Sequence, residues 1–364
     1  MNSLGFNKSE KDTKVVVAMS GGVDSSVAAV MLKKEGYNVI GITLKLYSSS
    51  GTPKSKSCCA GIDIEDAKKV ALKYDFEHII LDYQEKFFDG VINNFVDSYA
   101  QGETPLPCVK CNQTVKFKDL LNEAKSIGAD ALVTGHYAIR KGSLTNASLH
   151  KAKDLTKDQS FFLFATLQEQ LDFVRFPLGH YNKTQIRNMA KKYKLEVNDK
   201  PDSQDICFVT SSSYRDLIRN LNPNINKKGT ILNQDGQILG YHNGIANFTV
   251  GQRKGVGISG SSEPLYVIKI DNKENSITLG SKKNLKKNII TFKNINWLGG
   301  NMTSKNLECT AKIRSTQKDL PGTLNIRENS GVFTFHSELD GTSPGQACVF
   351  YKNDQLLGGG WITK

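Results

Sequence analysis

The sharpest chemical signal in the chain is a glycine-rich turn at residues 20–26, which reads Ser-Gly-Gly-Val-Asp-Ser-Ser. It lies between a run of β-branched residues and the start of a helical pattern. Glycines at such a turn free backbone N–H groups to surround an anion, and the helix dipole favours negative charge there. The turn lacks the Gly-Lys-Ser/Thr of a Walker loop and the spacing of a dinucleotide fingerprint. It therefore predicts a phosphate site of another type; the structural alternative is a tight strand–helix turn capped by Asp24 or Ser25.

Thiols are the second source of chemistry. Seven cysteines in a long chain argue against a disulfide framework and leave metal ligation, thiol catalysis or inert buried thiols. Cys108 and Cys111 form a Cys-x-x-Cys pair in a predicted loop that follows Thr104–Pro107 and precedes a helix. A cysteine near a helix N-terminus has a lowered thiol pKa and hence more thiolate. The pair therefore favours reactive thiols.

Cys207 lies in the stretch 202–208, where an α/β half of the chain gives way to a β half. Junction loops are where substrate clefts form, although an inert, half-buried thiol is the alternative for this cysteine taken alone. A sharper alternative combines Cys108, Cys111 and Cys207 as ligands of an iron–sulfur cluster or of zinc.

The other four cysteines have weaker patterns. Cys58 and Cys59 follow a segment rich in Ser, Gly, Pro and Lys, predicted to be a mobile loop, and we assign them no role. Cys309 and Cys348 lie in alternating β patterns, and we expect them to be core thiols.

The elements that must position these groups alternate between strands and helices in the first half of the chain. Strands are predicted at Lys14–Met19, Val39–Leu46, His78–Leu81 and Ala131–Thr134, with amphipathic helical patterns between them. Such alternation predicts a parallel sheet covered on both faces, with ligands at the carboxyl ends of the strands. Helices are also predicted at Phe161–Val174 and Lys183–Tyr193.

After about residue 213 the pattern changes to short alternating strands and glycine turns. Hairpins are predicted over Ile231–Gly240, Leu265–Leu279 and Ala347–Gly358. The predicted fold class is therefore α/β, with a parallel-sheet domain followed by a small central domain and a C-terminal β barrel. The predicted domains are a disordered tail (1–14), the α/β domain (15–212), the central domain (213–282) and the barrel (283–364).

Charge indicates a polyanionic partner. The chain has 48 basic and 36 acidic residues, and residues 281–364 alone hold 12 basic and 6 acidic ones. Such an excess favours phosphate contacts, with a lysine-rich surface as the alternative. The apolar stretches are too short to span a bilayer, and the first fourteen residues lack the apolar core of a signal peptide. We therefore expect a cytoplasmic protein without a membrane partner.

The glycine-rich turn resembles the PP-loop of the ATP pyrophosphatase superfamily, whose fold is adenine nucleotide alpha hydrolase-like. The chain as a whole resembles the MnmA-type tRNA-specific 2-thiouridylase family. The matching stretches occur in order along the chain: Ala18–Ser26, Cys58–Cys59, Cys108–Lys118, Thr134–Tyr137, Lys157–Ser160, Ser203–Phe208, Thr249–Gly255 and Ser343–Gln346.

This resemblance implies a two-stage reaction. ATP, with Mg²⁺, adenylates O2 of the wobble uridine of tRNA and releases pyrophosphate; a persulfide then supplies sulfur to C2, and AMP leaves. Adenylation is needed because a uracil carbonyl oxygen is a very poor leaving group. The implied partners are the tRNA anticodon loop, where a base is cheaply splayed out, and a persulfide sulfur-donor protein.

The family also implies roles for individual residues. Cys207 matches the persulfide carrier, and Cys111 matches the nucleophile that resolves it through a transient Cys111–Cys207 disulfide or by releasing hydrosulfide. Their Cα atoms must then come within about 4.4–6.8 Å, which we expect to require loop closure around tRNA. At Cys108 family members carry Asp or Cys, and this residue is expected to help hold the base.

Two further groups of contacts are implied by the matching motifs. The ATP contacts are Ala18, Met19, Ser20, Gly21, Gly22, Val23, Asp24, Ser25, Leu44 and Gly135, with Asp24 acting through Mg²⁺. The tRNA contacts are His136, Lys157, Asp158, Gln159, Arg314, Ser315 and Gln346. Ser315 departs from the family, in which an aromatic residue is common at that position.

Two other functions fit parts of the pattern. An ATP pyrophosphatase that amidates or ligates a small molecule would release pyrophosphate without tRNA. A zinc- or cluster-bearing RNA-binding protein with a vestigial nucleotide loop would bind RNA but modify no base.

Overall fold

The computed structural model describes residues 1–47, 61–201, 206–209, 213–258, 263–300 and 306–363. Two compact units divide the chain. The first comprises Met1–Val91, Cys108–Thr210 and Asp354–Leu356, and the second comprises Ile92–Pro107, Ser211–Asn353 and Leu357–Lys364. Cys58 and Cys59 lie outside the described residues.

The strands are β1 (Lys14–Ala18), β2 (Asn38–Lys45), β3 (Glu77–Asp82), β4 (Ala131–Thr134), β5 (Ile139–Lys141), β6 (Ser148–His150), β7 (Val174–Arg175), β8 (Gly229–Leu232), β9 (Ile238–His242), β10 (Tyr266–Asp271), β11 (Ser276–Gly280), β12 (Lys286–Trp297), β13 (Asn306–Lys312), β14 (Leu320–Arg327), β15 (Ser330–Asp340), β16 (Ala347–Lys352) and β17 (Gln355–Ile362). The α-helices are α1 (Val23–Glu35), α2 (Gly61–Lys73), α3 (Gln84–Phe87), α4 (Asn93–Ala100), α5 (Pro107–Cys111), α6 (Leu121–Ser126), α7 (Gln168–Phe173), α8 (Lys183–Lys192) and α9 (Tyr214–Leu221). Two π-helical stretches span Phe88–Ile92 and Asn112–Leu120, and 3₁₀ turns span Ser160–Leu163, Pro177–His180, Glu196–Asp199, Pro223–Ile225, Ile245–Asn247 and Lys282–Leu285.

The first unit is built on a parallel sheet with strand order β3-β2-β1-β4-β7, which confirms the α/β class expected from the sequence. Val15–Val17 of β1 are fully buried because helices cover both faces of the sheet. Val27–Leu32 of α1 are buried almost all round, so this helix is apolar rather than amphipathic. The core therefore fixes β1 and α1, and with them the turn that joins the two.

The first fourteen residues make contacts that a disordered tail would lack. Leu4 and Phe6 are buried, and the guanidinium of Arg175 donates to the Leu4 carbonyl at 2.9 Å while stacking on the Phe6 ring. Two apolar side chains in an otherwise polar segment gave too weak a sequence signal for this packing. The other domain bounds remain predictions.

The helix predicted over Phe161–Val174 is confirmed only at Gln168–Phe173 and is wrong for the rest of that range. A 3₁₀ turn covers Ser160–Leu163, α7 begins only at Gln168, and Val174 belongs to β7 at the edge of the sheet. The phenylalanine-rich run is buried on several sides, and an apolar run of that kind does not distinguish helix from strand.

Two helices carry π-helical insertions that the sequence did not predict. The helix that begins at Gln84 widens at Phe88–Ile92, and Phe88 is 39% exposed there. The second insertion follows α5 directly, so Cys108 and Cys111 lie within a helix rather than in a loop ahead of one. Insertions of this kind are frequent at functional sites.

The second unit contains a sheet of order β10-β11-β8-β9 and a barrel of order β12-β15-β14-β13-β16-β17 that the β12–β17 pairing closes. The central domain, the C-terminal barrel and the predicted hairpins are thus confirmed. Cys348 is fully buried and Cys309 is partly buried in the barrel core. Burial raises the pKa of Cys309 to about 12 and raises that of Cys348 well above its usual value, as expected of core thiols. Across the described ranges, no helix has both the length and the apolarity needed to cross a membrane.

Candidate active site

The turn at residues 20–26 connects the carboxyl end of β1 to the N-terminus of α1. Gly21 has φ +69°, and Gly22 is the N-cap of α1 without any side-chain cap. The Ser25 hydroxyl instead accepts from the Ser20 N–H at 3.1 Å. The first amides of α1 have no acceptor within the helix, and the helix dipole favours an anion beside them. This geometry suits a phosphate better than the alternative of a turn capped by Asp24 or Ser25.

Asp24 is held by two residues that the sequence analysis did not select. The Lys183 ammonium lies 2.8 Å from both carboxylate oxygens, and the Tyr137 hydroxyl donates to one of them at 2.7 Å. Lys183 opens α8, and its side chain is 13% exposed against 31% for Asp24. A positive charge therefore lies beside the anion-binding end of α1.

A second lysine lies on another side of the turn. Lys200 donates to the Gly21 carbonyl at 3.0 Å, to Asp66 at 2.8 Å and to Asp63. The hydrogen bonds to the two carboxylates raise the pKa of Lys200 against the opposing effect of burial. Motif matching could not find either lysine, because the partners of Lys183 and Lys200 are more than 130 positions away in the chain.

Gly135, which the family resemblance implies as an ATP contact, lets protein backbone approach closely. A Cβ at this position would lie 2.9 Å from the Ser25 nitrogen and 3.0 Å from the Asp24 carbonyl carbon. Gly135 is thus the point where the end of β4 meets the first turn of α1. The other predicted ATP contacts border the same turn: Ala18 ends β1, while Met19 and Leu44 are buried.

A series of hydrogen bonds connects this turn to the helix of the cysteine pair. Asp24 accepts from the Tyr137 hydroxyl, and the Tyr137 backbone exchanges two hydrogen bonds with Gln159, at 2.8 and 2.9 Å. The Gln159 carbonyl accepts from the Phe162 N–H, and the Phe162 carbonyl accepts from Asn112 at 3.2 Å. Asn112 is buried and directly follows Cys111, which is also buried. The turn at residues 20–26, called the phosphate turn below, and the helix of Cys111 are therefore linked by one hydrogen-bond network within the first unit.

Cys207 lies in a tight turn closed by a hydrogen bond from the Val209 N–H to the Ile206 carbonyl. Its neighbour Phe208 is buried and packs edge-on against Phe87, with ring centroids 5.7 Å apart. Phe87 in turn contacts Tyr47, which follows the carboxyl end of β2. Since β1 and β2 are parallel neighbours, the Cys207 turn and the phosphate turn lie towards the same edge of the sheet.

Comparison with known proteins places the chain among relatives that match it along its whole length. A family model described as the tRNA methyl transferase HUP domain matches residues 13–211; a PRC-barrel domain of the same name matches 219–281, and an aminomethyltransferase beta-barrel domain matches 287–362. The tRNA-specific 2-thiouridylase MnmA of Rhodospirillum centenum (strain ATCC 51521 / SW) is 48% identical, covering 100% of this chain and 95% of its own. The proteins of that name from Orientia tsutsugamushi (strain Boryong) and Rickettsia bellii (strain OSU 85-389) are each 50% identical, covering 99% of this chain and 98% of theirs.

The chain belongs to the MnmA-type tRNA-specific 2-thiouridylase family. This confirms the family resemblance seen in the sequence and the prediction of an enzyme of this family. Among solved structures, a 4-thiouridine synthetase–RNA complex with bound ATP covers 58% of this chain and 50% of its own at 19% identity. Its TM-score is 0.38, and so weak a likeness carries no argument about this thiouridylase-family chain.

His136 of this thiouridylase-family chain is half-buried against aromatic rings. Its Nδ1 lies 2.8 Å from the Thr134 hydroxyl, and its ring makes edge contacts with Phe117 and Phe176. Desolvation, reinforced by the charge of Lys116, lowers the pKa of His136 well below its usual value. The imidazole is therefore neutral at physiological pH, and any contact with RNA would be a hydrogen bond or stacking rather than an ion pair.

Residues of the predicted tRNA-contacting turn Lys157–Gln159 make hydrogen bonds within the fold. Asp158 accepts from the Ala152 and Ser160 amides at 3.0 and 3.1 Å, and Gln159 pairs with the Tyr137 backbone. These bonds fix the loop after β6. Lys157 is half-buried at the same turn.

The remaining predicted tRNA contacts lie in the second unit. Arg314 is exposed and donates to the Gly341 carbonyl at 2.7 Å, and Ser315 beside it is half-buried. Gln346 donates to the Thr104 carbonyl at 2.8 Å, and the Thr104 N–H donates to the Pro344 carbonyl at 2.8 Å. These two hydrogen bonds thus attach the Ser343–Gln346 loop to the segment that precedes α5.

The structure gives the cluster alternative no support. Cys108 is exposed, Cys111 is buried and Cys207 is half-buried. Among the residues that the structure describes, no three His, Cys, Asp or Glu side chains are grouped so that they could hold a metal ion.

Proposed function

We propose that this chain uses ATP to convert the wobble uridine (U34) of tRNA into 2-thiouridine, releasing AMP and pyrophosphate. The observation that carries the proposal is the match, over essentially the full chain, to relatives named tRNA-specific 2-thiouridylase, together with a phosphate turn bonded to the Cys111 helix. Thiolation needs both parts: one activates a carbonyl oxygen and the other delivers sulfur.

Adenylation belongs to the turn at residues 20–26. The amides at the start of α1 bind the β- and γ-phosphates, and Lys183 neutralises charge that develops on the pyrophosphate. Mg²⁺ is a hard cation that prefers oxygen ligands, and the partly exposed Asp24 carboxylate fits it once Lys183 turns to the phosphates. Bound there, the ion would supply further charge neutralisation for the leaving group.

Sulfur transfer belongs to Cys207 and Cys111. A sulfur-donor protein leaves a persulfide on Cys207, whose turn is partly exposed. Cys111 attacks the inner sulfur of that persulfide, so that a Cys111–Cys207 disulfide forms and the outer sulfur leaves as hydrosulfide, which attacks C2 of the adenylated uridine and expels AMP. Direct attack by the terminal sulfur of Cys207 on C2, followed by cleavage through Cys111, gives the same products. Both routes return the enzyme after the disulfide is reduced.

The tRNA anticodon arm is the proposed macromolecular substrate. The net charge of +12 favours phosphate contacts, and His136, Arg314, Ser315 and Gln346 are the proposed contacts beyond Lys157–Gln159. Arg314 is the strongest of these, because it is an exposed residue with a permanent positive charge. Cys108, exposed one helical turn before Cys111, is the proposed contact to the target base.

Mass spectrometry of nucleosides tests the proposal. Unmodified tRNA incubated with the protein, ATP, Mg²⁺ and a persulfide donor is expected to gain one sulfur at uridine 34, and reactions without ATP or donor are expected to gain none. Cys309→Ser, which replaces a thiol of the barrel core in the second unit, is the matched control for Cys111→Ser. Pyrophosphate release without tRNA would instead favour a small-molecule ligase, and tRNA binding with no modified base would favour a non-enzymatic RNA-binding protein.

A further inference from the structure

Lys200 has three acceptors on two different elements, an arrangement that no role assigned above explains. It lies just after the 3₁₀ turn Glu196–Asp199 and is 27% exposed. Its ammonium donates to Asp63 and Asp66 at the start of α2 and to the main-chain carbonyl of Gly21. The same lysine stands seven positions before Cys207 in the chain.

The contact with Gly21 has a consequence for the phosphate turn. In a trans peptide the carbonyl oxygen and the following N–H point in opposite directions. A Gly21 carbonyl held by Lys200 therefore directs the Gly22 N–H to the opposite side of the turn. Gly22 is the N-cap of α1, so this N–H adds to the free amides at the helix start.

A peptide plane between two glycines rotates more freely than any other, so its orientation has the greatest need of an external hydrogen bond. Neither residue has a Cβ to oppose rotation of the peptide plane, and Gly21 already lies at φ +69°. The Asp63 carbonyl packs so closely on Gly21 that a Cβ there would lie 2.0 Å from it. A side chain therefore cannot be used to stiffen Gly21, and the restraint must come from outside the turn.

We propose that Lys200 is a positioning residue that fixes the Gly21–Gly22 peptide with its N–H towards the phosphates of ATP. Without Lys200, the Gly21–Gly22 peptide could flip and would then present the Gly21 carbonyl oxygen to the anion. Asp63 and Asp66 hold the ammonium against Gly21. This inference rests on the proposed ATP-binding role of the turn, and it adds a specific origin for the affinity of that turn.

The test removes Lys200 without leaving two carboxylates unpaired. Asp63→Asn/Asp66→Asn is the reference protein, because each asparagine keeps an oxygen that accepts from the Lys200 ammonium and so leaves it at the Gly21 carbonyl, and adding Lys200→Met gives the test protein. We expect the triple variant to bind pyrophosphate and ATP about tenfold more weakly than the double variant in titration calorimetry, the effect of losing one oriented donor. The KM for tRNA should match that of the double variant, which shows that the triple variant is folded. Lys33→Met is a matched control, because Lys33 also donates to a carbonyl, that of Asp75, near the far end of α1.

Measuring the affinities at increasing salt concentration distinguishes positioning of the Gly21–Gly22 peptide from simple charge attraction by Lys200. A long-range effect of the lost charge would shrink as ionic strength rises, because the screening length falls to about 3 Å at 1 M. A peptide held in the wrong orientation would keep the tenfold ratio at high salt. Equal affinities in the double and triple variants, or a ratio that disappears in salt, would overturn the positioning role. Failure of the wild-type protein to thiolate tRNA while pyrophosphate binding still depends on Lys200 would count against the proposed function alone.

Discussion

Replacing Gly135 by alanine tests whether the end of β4 sets the position of the phosphate turn. The added Cβ would lie 2.9 Å from the Ser25 nitrogen and 3.0 Å from the Asp24 carbonyl carbon, whereas ordinary contacts begin at 3.4 Å. The first turn of α1 must therefore recede by about 0.5 Å, the difference between those distances. Overpacking of this kind costs roughly 1–3 kcal/mol in the free energy of unfolding.

The same displacement should weaken ATP use, because the amides of α1 move away from the phosphates. Since a misplacement of about 1 Å can cost on the order of 100-fold in rate, we expect about a tenfold loss in kcat/KM for ATP. Steady-state pyrophosphate release with varied ATP measures it, and urea unfolding gives the stability. Gly90→Ala is the control, because its new Cβ would meet only the Thr114 hydroxyl at 3.7 Å. If Gly135→Ala left both kcat/KM for ATP and the free energy of unfolding unchanged, the packing argument for the turn would be refuted.

Three further outcomes follow from single contacts. Lys183→Met removes the cation beside Asp24, so the free energy of unfolding should fall by about 2 kcal/mol and the KM for ATP should rise; an unchanged KM would show that Lys183 does not serve the phosphates. The pKa of His136 is lowered, so the stability from its neutral ring is complete above about pH 6.5 and falls by up to about 1.4 kcal/mol per pH unit below it. His136→Asn should flatten that decline between pH 6.5 and 5.5 in denaturant titrations, and an equally steep decline would contradict the assignment. Cys309 and Cys348 have raised pKa values, so iodoacetamide at pH 8 should leave both intact in the folded protein, and rapid labelling of either would contradict their burial.

The sequence was most informative where a pattern repeats along one element. The β-branched run at β1 and the alternating hairpins of the second unit appear where they were expected, because a strand buried on both faces or on one face has a distinctive composition. The run Phe161–Val174 misled because phenylalanines buried on several sides show no period. The π-helical stretch after Cys111 also had no sequence signal.

The candidate site was predictable only where residues form a local motif. The turn at residues 20–26 is such a motif, whereas the residues that contact the turn are scattered along the chain. Lys183 and Lys200 pair with carboxylates 159 and 137 positions away, and a lysine in a lysine-rich chain has no feature that marks it. Gly135 was selected as an ATP contact, which stays a prediction, and only the fold shows that α1 approaches it closely.

The central claim is that the chain activates a tRNA uridine with ATP and then supplies sulfur from Cys207. Measuring pyrophosphate release and 2-thiouridine formation in the same reaction with Cys207→Ser tests it most directly. We expect tRNA-dependent pyrophosphate release to continue while no 2-thiouridine forms. Thiolation that persists in this variant, or pyrophosphate release that disappears together with it in a folded protein, would contradict the account.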